Sequence, residues 1–306
     1  PVYGLYAAIV PVLVYALLGT SRQVGMGPVA MDSLLVAAGL GALAITGVEN
    51  YIAMALVLAF LVGAIQLLLG VCRMGFLVRF LSKPVISGFT SGAALIIIFS
   101  QLKHLLGTGI PGSRLFHQQV VNAVQSLGNI NFYDLGLGLA GIAVIILFKK
   151  WDRRIPGILI VVFLGILTVY LFDLDASGVH IVGAVPDGLP SFKIPKIELN
   201  TIKQLWPIAL ILALVGYLET FSIGKAIEEK NRTDHIKANQ ELVALGVSNI
   251  IGSFFQSYIS TASFSRSAIN NDSGARTNLA SVFSVILVVV TLLFLTPMFY
   301  YLPKAI

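Results

Sequence analysis

One cysteine in 306 residues, Cys72, excludes an internal disulfide and any metal centre built from cysteines. Closing an apolar run, it reads as a small buried residue. Charge is scarce as well. Asp, Glu, Lys and Arg make up 11% of the chain, against about a quarter in soluble domains, which excludes an ordinary soluble fold. The four histidines, His104, His117, His180 and His235, stand in or near loops without ligand spacing. No Ser-His-Asp arrangement, phosphate-cradling glycine loop or metal cluster has usable spacing, so neither an enzyme nor a cofactor is expected. No signal peptide and no low-complexity tract is visible.

What is present is apolar. Hydrophobic residues make up 57% of the chain, and the mean hydropathy is +0.91. Runs near the length needed to cross a bilayer cover Val2–Gly19, Pro28–Leu43, Tyr51–Val71, Pro84–Leu102, Phe132–Phe148, Pro156–Phe172, Leu205–Ala226, Leu242–Phe255 and Asn278–Leu295. A half-length segment near Ala262–Asn270 and a truncated one from Met298 complete the set. Several are short and rich in Gly, Ser or Thr, which predicts helices packed closely on one another. The chain opens on Pro1 and stops within an apolar stretch at Ile306, so we read it as an internal piece of a longer protein.

The net charge of +6 raises nucleic acid as a partner, and placement argues against it. Basic residues gather in short loops between apolar runs, without the aromatic interleaving of single-strand binders. Arg73, Arg79 and Lys83 fill one loop, Lys149, Lys150, Arg153 and Arg154 another, and Lys225, Lys230, Arg232 and Lys237 a third. By the positive-inside rule these loops are cytoplasmic. The long polar connection Asp173–Lys203 divides the chain into halves, 1–172 and 204–306, each with one broken segment, as inverted repeats require.

Those broken segments are the informative feature. Ser21 to Pro28 and Ser257 to Arg266 are polar, helix-breaking stretches beside membrane-grade runs. Each is a candidate start for a short helix whose free amides hold an anion at membrane depth. Gly25 and Gly27 permit close backbone approach, and Pro28 suits a first helical position. Arg266 attracts an anion or binds carbonyls at the half-helix end; both readings stand.

Glu219, deep in Leu205–Ala226, costs several kcal/mol there unless protonated, paired or facing water. It suits proton exchange; a neutral Glu bonded to a neighbouring helix is the other reading. Asp32, one turn after Pro28, caps backbone amides or tunes the site. Gln101, with Phe89, Thr90 and Ser91 earlier in its run, lines a polar cavity or bonds between helices.

Pro1 to Ala8, then Tyr15 and Gly19-Thr20-Ser21-Arg22, resemble the signature of the SulP family of sulfate permeases and related anion transporters. Gly27-Pro28-Val29-Ala30, Ser87 to Gly92, Gln101-Leu102-Lys103, Gly274-Ala275-Arg276-Thr277 and Thr296 to Ala305 continue the likeness in order along the chain. The resemblance implies an all-α polytopic membrane protein of seven-plus-seven inverted repeats, with core and gate domains, truncated here at both ends. It places the substrate between the family's third and tenth spans, here Gly25, Gly27, Pro28, Val29 and Ala30 facing Thr261, Ser263, Phe264, Ser265 and Arg266. Phe89 or Phe264 gives an apolar wall, and Glu219 takes the coupling position. Asp32 stands where many members carry an uncharged residue.

The function expected is secondary active transport of small inorganic oxyanions, sulfate first, by proton symport and elevator-type alternating access. A sodium-coupled carrier of bicarbonate is an alternative, as is an uncoupled anion channel or exchanger that passes chloride. A membrane scaffold without transport is a third class. A homodimer in a cell membrane (the inner one in a bacterium) and a cytoplasmic STAS domain beyond this segment are family expectations.

Overall fold

In the computed structural model, residues 2–43, 47–80, 88, 91–92, 95, 98–99, 101–108, 116–151, 157–176, 178–183, 188–231 and 235–306 are described. The elements run α1 (Val2–Ala7), α2 (Val10–Leu18), β1 (Met26–Gly27), α3 (Ala30–Ala42), α4 (Val48–Val71), α5 (Phe116–Gln125) and α6 (Phe132–Trp151). They continue through α7 (Gly157–Leu171), α8 (Leu199–Asn231), α9 (Ala238–Phe254), β2 (Thr261–Ala262), α10 (Phe264–Asp272) and α11 (Leu279–Val290). Among the described residues the all-helical expectation holds apart from one two-stranded ribbon, β1 with β2. Two-residue strands are too short to leave a period in the sequence.

Two compact units form, one from Pro1–Phe89 with Gly188–Leu293, the other from Thr90–Asp187 with Phe294–Ile306. Each draws on both halves of the chain, so the compact units and the halves 1–172 and 204–306 are different divisions.

The first unit is built on α4, α8 and α9. With 24 residues at about 1.5 Å each, α4 reaches further than the ~30 Å hydrocarbon core. Glycines let the backbones of α4 and α9 touch. A Cβ on Gly63 would stand 2.7 Å from the Gly246 carbonyl oxygen, and one on Gly70 would stand 2.8 Å from the Val243 nitrogen. Leu58, Val62, Leu205, Leu212 and Ala213 close the apolar core between α4 and α8. Helix α8 outruns the expected Leu205–Ala226 at both ends, because its basic tail stays helical, with Lys225 bonded to Glu228 at 2.6 Å.

Three local expectations are corrected. Cys72 is exposed where α4 ends, since the helix cap has left the apolar packing. Pro28 precedes the N-cap Val29 and so is not the first helical residue; a bulky Pro ring favours extended backbone before it, and Gly27 pairs as a strand there. No separate span starts at Met298: α11 continues through a π turn, Thr291–Leu295, and a 3-10 turn, Thr296–Tyr301.

In the second unit α6 packs on α7 where Gly141 faces Val161. Asp134, at the head of α6, is fully buried and meets His180 Nδ1 at 2.9 Å. The segment Ile181–Gly183 pairs with Tyr300–Pro303 through backbone bonds. Outward faces such as Leu139, Ile142 and Ile146 of α6 are exposed, as lipid contact requires. Among the described residues, four helices are long and apolar enough to cross a membrane.

Candidate functional site

The two polar stretches meet. β1 and β2 pair antiparallel, with Met26 opposite Ala262 and Gly27 opposite Thr261. The Ser263 amide donates to the Gly25 carbonyl at 2.9 Å, and the Gly25 amide donates to Ser267 Oγ at 2.9 Å. Each strand runs directly into a helix, β1 into α3 and β2 into α10, so the ribbon joins two helix starts. The first amides of a helix have no acceptor inside it, which leaves those of Ala30, Met31, Phe264 and Ser265 at the two ends. Ser263 caps α10, its Oγ accepting from the Arg266 amide at 3.5 Å and standing 3.2 Å from Ser265 Oγ.

Arg266 reaches across from α10. Its guanidinium donates to the carbonyls of Met26, at 3.2 Å, and Pro28. It therefore fastens the ribbon while keeping a full positive charge beside both helix ends. The glycines make room for it. Gly27 has φ +150°, and any Cβ there would overlap the guanidinium; a Cβ on Gly25 would meet Arg266 Cβ at 2.8 Å. Ala30, Phe264 (49% exposed) and Ser265 present the accessible rim, with Pro28 and Val29 half-buried.

Beneath the ribbon lies an acidic layer. Asp32, in the first turn of α3, is 0% exposed and accepts a hydrogen bond from Thr261 Oγ1. Thr261, expected to touch substrate, thus turns its hydroxyl inward. Glu219 on α8, 8% exposed, lies within electrostatic reach of Asp32 and also faces Thr261. Neither carboxyl is satisfied: Asp32 Oδ1 and Glu219 Oε2 are buried without a hydrogen-bond partner. An unmet buried polar atom costs about 1–3 kcal/mol, so two together are not there for stability's sake.

A buried network holds this layer in place. Thr220 Oγ1 accepts from the Ala262 amide at 3.2 Å, tying α8 to β2. Gln66 donates to the Ala213 carbonyl at 3.2 Å and accepts from Asn249 at 3.1 Å, while Asn249 Oδ1 takes the Ser260 amide at 2.8 Å. Gly216 gives α8 its close approach, since a Cβ there would stand 2.6 Å from Thr261 Cγ2. A cavity of about 230 Å³ lined by Tyr3, Ser33, Val36, Tyr51, Leu56 and Tyr258 lies in the same unit, with no charged group among those residues.

Of two further expected residues, Phe89 falls outside the described residues, and Gln101 belongs to the other compact unit, exposed within a helical stretch. One residue was missed. Glu241, 1% exposed on α9, accepts from Tyr15 Oη at 2.6 Å, the Thr20 amide at 2.7 Å and the Thr20 hydroxyl. Standing four residues after Lys237, it reads in sequence as part of a charged loop.

The Sulfate permease family model matches residues 1–306. The chain is 39% identical over 312 residues to "Sulfate transporter 4.1, chloroplastic" of Arabidopsis thaliana, covering 99% of this chain and 45% of that protein. It is 36% identical to the "Sodium-independent sulfate anion transporter" of Bos taurus, over 100% and 55% respectively. Among solved structures, the murine Solute Carrier 26 family member A9 anion transporter in the inward-facing state superposes with TM-score 0.90 at 28% identity. That match covers 100% of this chain and 54% of the other. The transmembrane domain of a cyanobacterium bicarbonate transporter shares the fold, with TM-score 0.85 at 23% identity over 99% and 78%. The chain spans about half the length of the curated relatives it matches.

Proposed function

The chain belongs to the sulfate permease family, and from that premise we propose that the whole protein is a secondary active transporter of small oxyanions, sulfate by preference, coupled to protons. One observation carries the reading: two helix starts are joined by an antiparallel ribbon inside a single compact unit, with Arg266 between them. Each helix end contributes roughly half a positive charge, and the guanidinium adds one, for a total of about two. That suits a divalent oxyanion better than chloride or bicarbonate. The Ser263 and Ser265 hydroxyls and the free amides would supply hydrogen bonds to its oxygens.

The acids below explain the need for protons. Each ionised carboxyl in that layer cancels about one unit of the attraction above it, so anion binding favours the protonated layer, and the protonated layer favours the anion. Such reciprocity is what symport requires. Because all of these ligands belong to one compact unit, they would travel together, as an elevator-type movement needs. The relative from cattle is named sodium-independent, which favours the proton over sodium as the coupling ion.

The test is radiolabelled sulfate uptake by the full-length protein in proteoliposomes, with competing anions and imposed proton or sodium gradients. An inward proton gradient is expected to drive accumulation, and Glu219→Gln to abolish that dependence. Proton-driven uptake unchanged in Glu219→Gln would remove the coupling, and accumulation driven by sodium alone would replace it.

A further inference from the structure

Asp32 offers no group that could hold the anion. A carboxylate at the first turn of α3 opposes any anion held at that helix end, yet it is sealed from solvent and bonded to Thr261. The hydroxyl has a single hydrogen, and Asp32 receives it. Glu219, facing the same hydroxyl, is left with Oε2 unpartnered, and Asp32 keeps Oδ1 unpartnered. Two acceptor-only carboxylates cannot both be served by one O–H. A proton on Glu219 resolves the conflict, since the acid can then donate to the free lone pair of Thr261 Oγ1.

Resting on the coupling role proposed for Glu219, we infer that Asp32, Thr261 and Glu219 form one proton-sharing site in which Asp32 is a second coupling carboxyl. A proton that lands on Glu219 reaches Asp32 by a paired exchange. Glu219 passes its hydrogen to Thr261 Oγ1 as that oxygen passes its own to Asp32. One O–H bond breaks and one forms at the threonine, and the pair's total charge is unchanged. The two acids hold one proton between them in the anion-loaded state and release it with the anion. Several other titratable groups on the surrounding elements are engaged elsewhere. Arg266 is turned to the Met26 and Pro28 carbonyls, Glu241 holds Tyr15, Tyr217 donates to the Gly75 carbonyl, and the Tyr258 hydroxyl stands 3.0 Å from Ser33 Oγ. Tyr51 of α4 lines the neighbouring cavity.

The test compares the full-length wild type, Asp32→Asn, Thr261→Val, Thr261→Ser and Glu219→Gln in proteoliposomes, with sulfate uptake measured across pH. Removing the like charge at Asp32 is expected to move the pH midpoint of uptake to the acid side by about one unit. Thr261→Val should slow proton-driven uptake at least about tenfold, and Thr261→Ser should restore it to within about twofold. An unmoved midpoint in Asp32→Asn, or equal behaviour of the two Thr261 variants, overturns the shared site. If Glu219→Gln meanwhile loses proton dependence, the simpler coupling role survives alone; if Glu219→Gln keeps it, that role is what fails. Infrared difference spectra of wild type and Thr261→Val between neutral and acid pH give a second readout that does not require Asp32→Asn to fold. The protonated-carboxyl band should shift when the hydroxyl is lost, and identical bands overturn the inference.

Discussion

Two buried acidic sites in the first unit differ in one respect: whether their oxygens are satisfied. Glu241 has three donors from Tyr15 and Thr20. It pins the end of α2 to the start of α9. Asp32 takes the Thr261 hydroxyl, Glu219 lies within electrostatic reach of both, and each acid keeps one bare oxygen. Burial alone therefore does not mark a functional carboxyl. A carboxyl saturated by fixed donors is a structural clamp with one stable charge state. One short of donors can change its protonation at small structural cost, and only that kind can couple a proton to an anion.

The comparison can be broken by stability measurements on purified full-length protein in detergent, with thermal unfolding as the readout. Glu241→Ala should cost most, about 3 kcal/mol, because it strands the buried Tyr15 hydroxyl and the Thr20 amide together. Proton dependence of uptake by the surviving protein should be unchanged. Tyr15→Phe should cost about 1 kcal/mol, since Thr20 still serves the carboxylate. Glu219→Gln should change stability by less than about 0.5 kcal/mol, because no hydrogen bond to its bare oxygen is lost. A melting order that places Glu219→Gln below Glu241→Ala would show the bare oxygens to be paired in the working protein and would erase the distinction drawn here.

Much of the architecture was legible because lipid imposes a simple rule. Every backbone polar group must be satisfied inside the helix, so membrane helices such as α4 and α6 announce themselves as long apolar runs. The two breaks were legible for the same reason, since Ser21 to Pro28 and Ser257 to Arg266 interrupt apolar runs with polar, helix-breaking residues. From sequence Arg266 admits two readings, anion ligand or carbonyl ligand. The structure shows it bonded to carbonyls, with its charge still beside the helix ends. Thr261 read as a substrate ligand because its hydroxyl stands in a polar run; only its register opposite Gly27 turns that hydroxyl toward Asp32. Glu241 escaped notice because its partners, Tyr15 and Thr20, lie more than 220 residues away in sequence.

Chain order alone carries the information that this is a membrane protein of the sulfate permease kind, where its helices run and where they break. Hydropathy and helix-breaking residues are local properties that chain order preserves. Only the tertiary structure decided which acid is clamped and which is bare. Hydrogen-bond satisfaction depends on donors brought from distant segments, and no local pattern records their arrival.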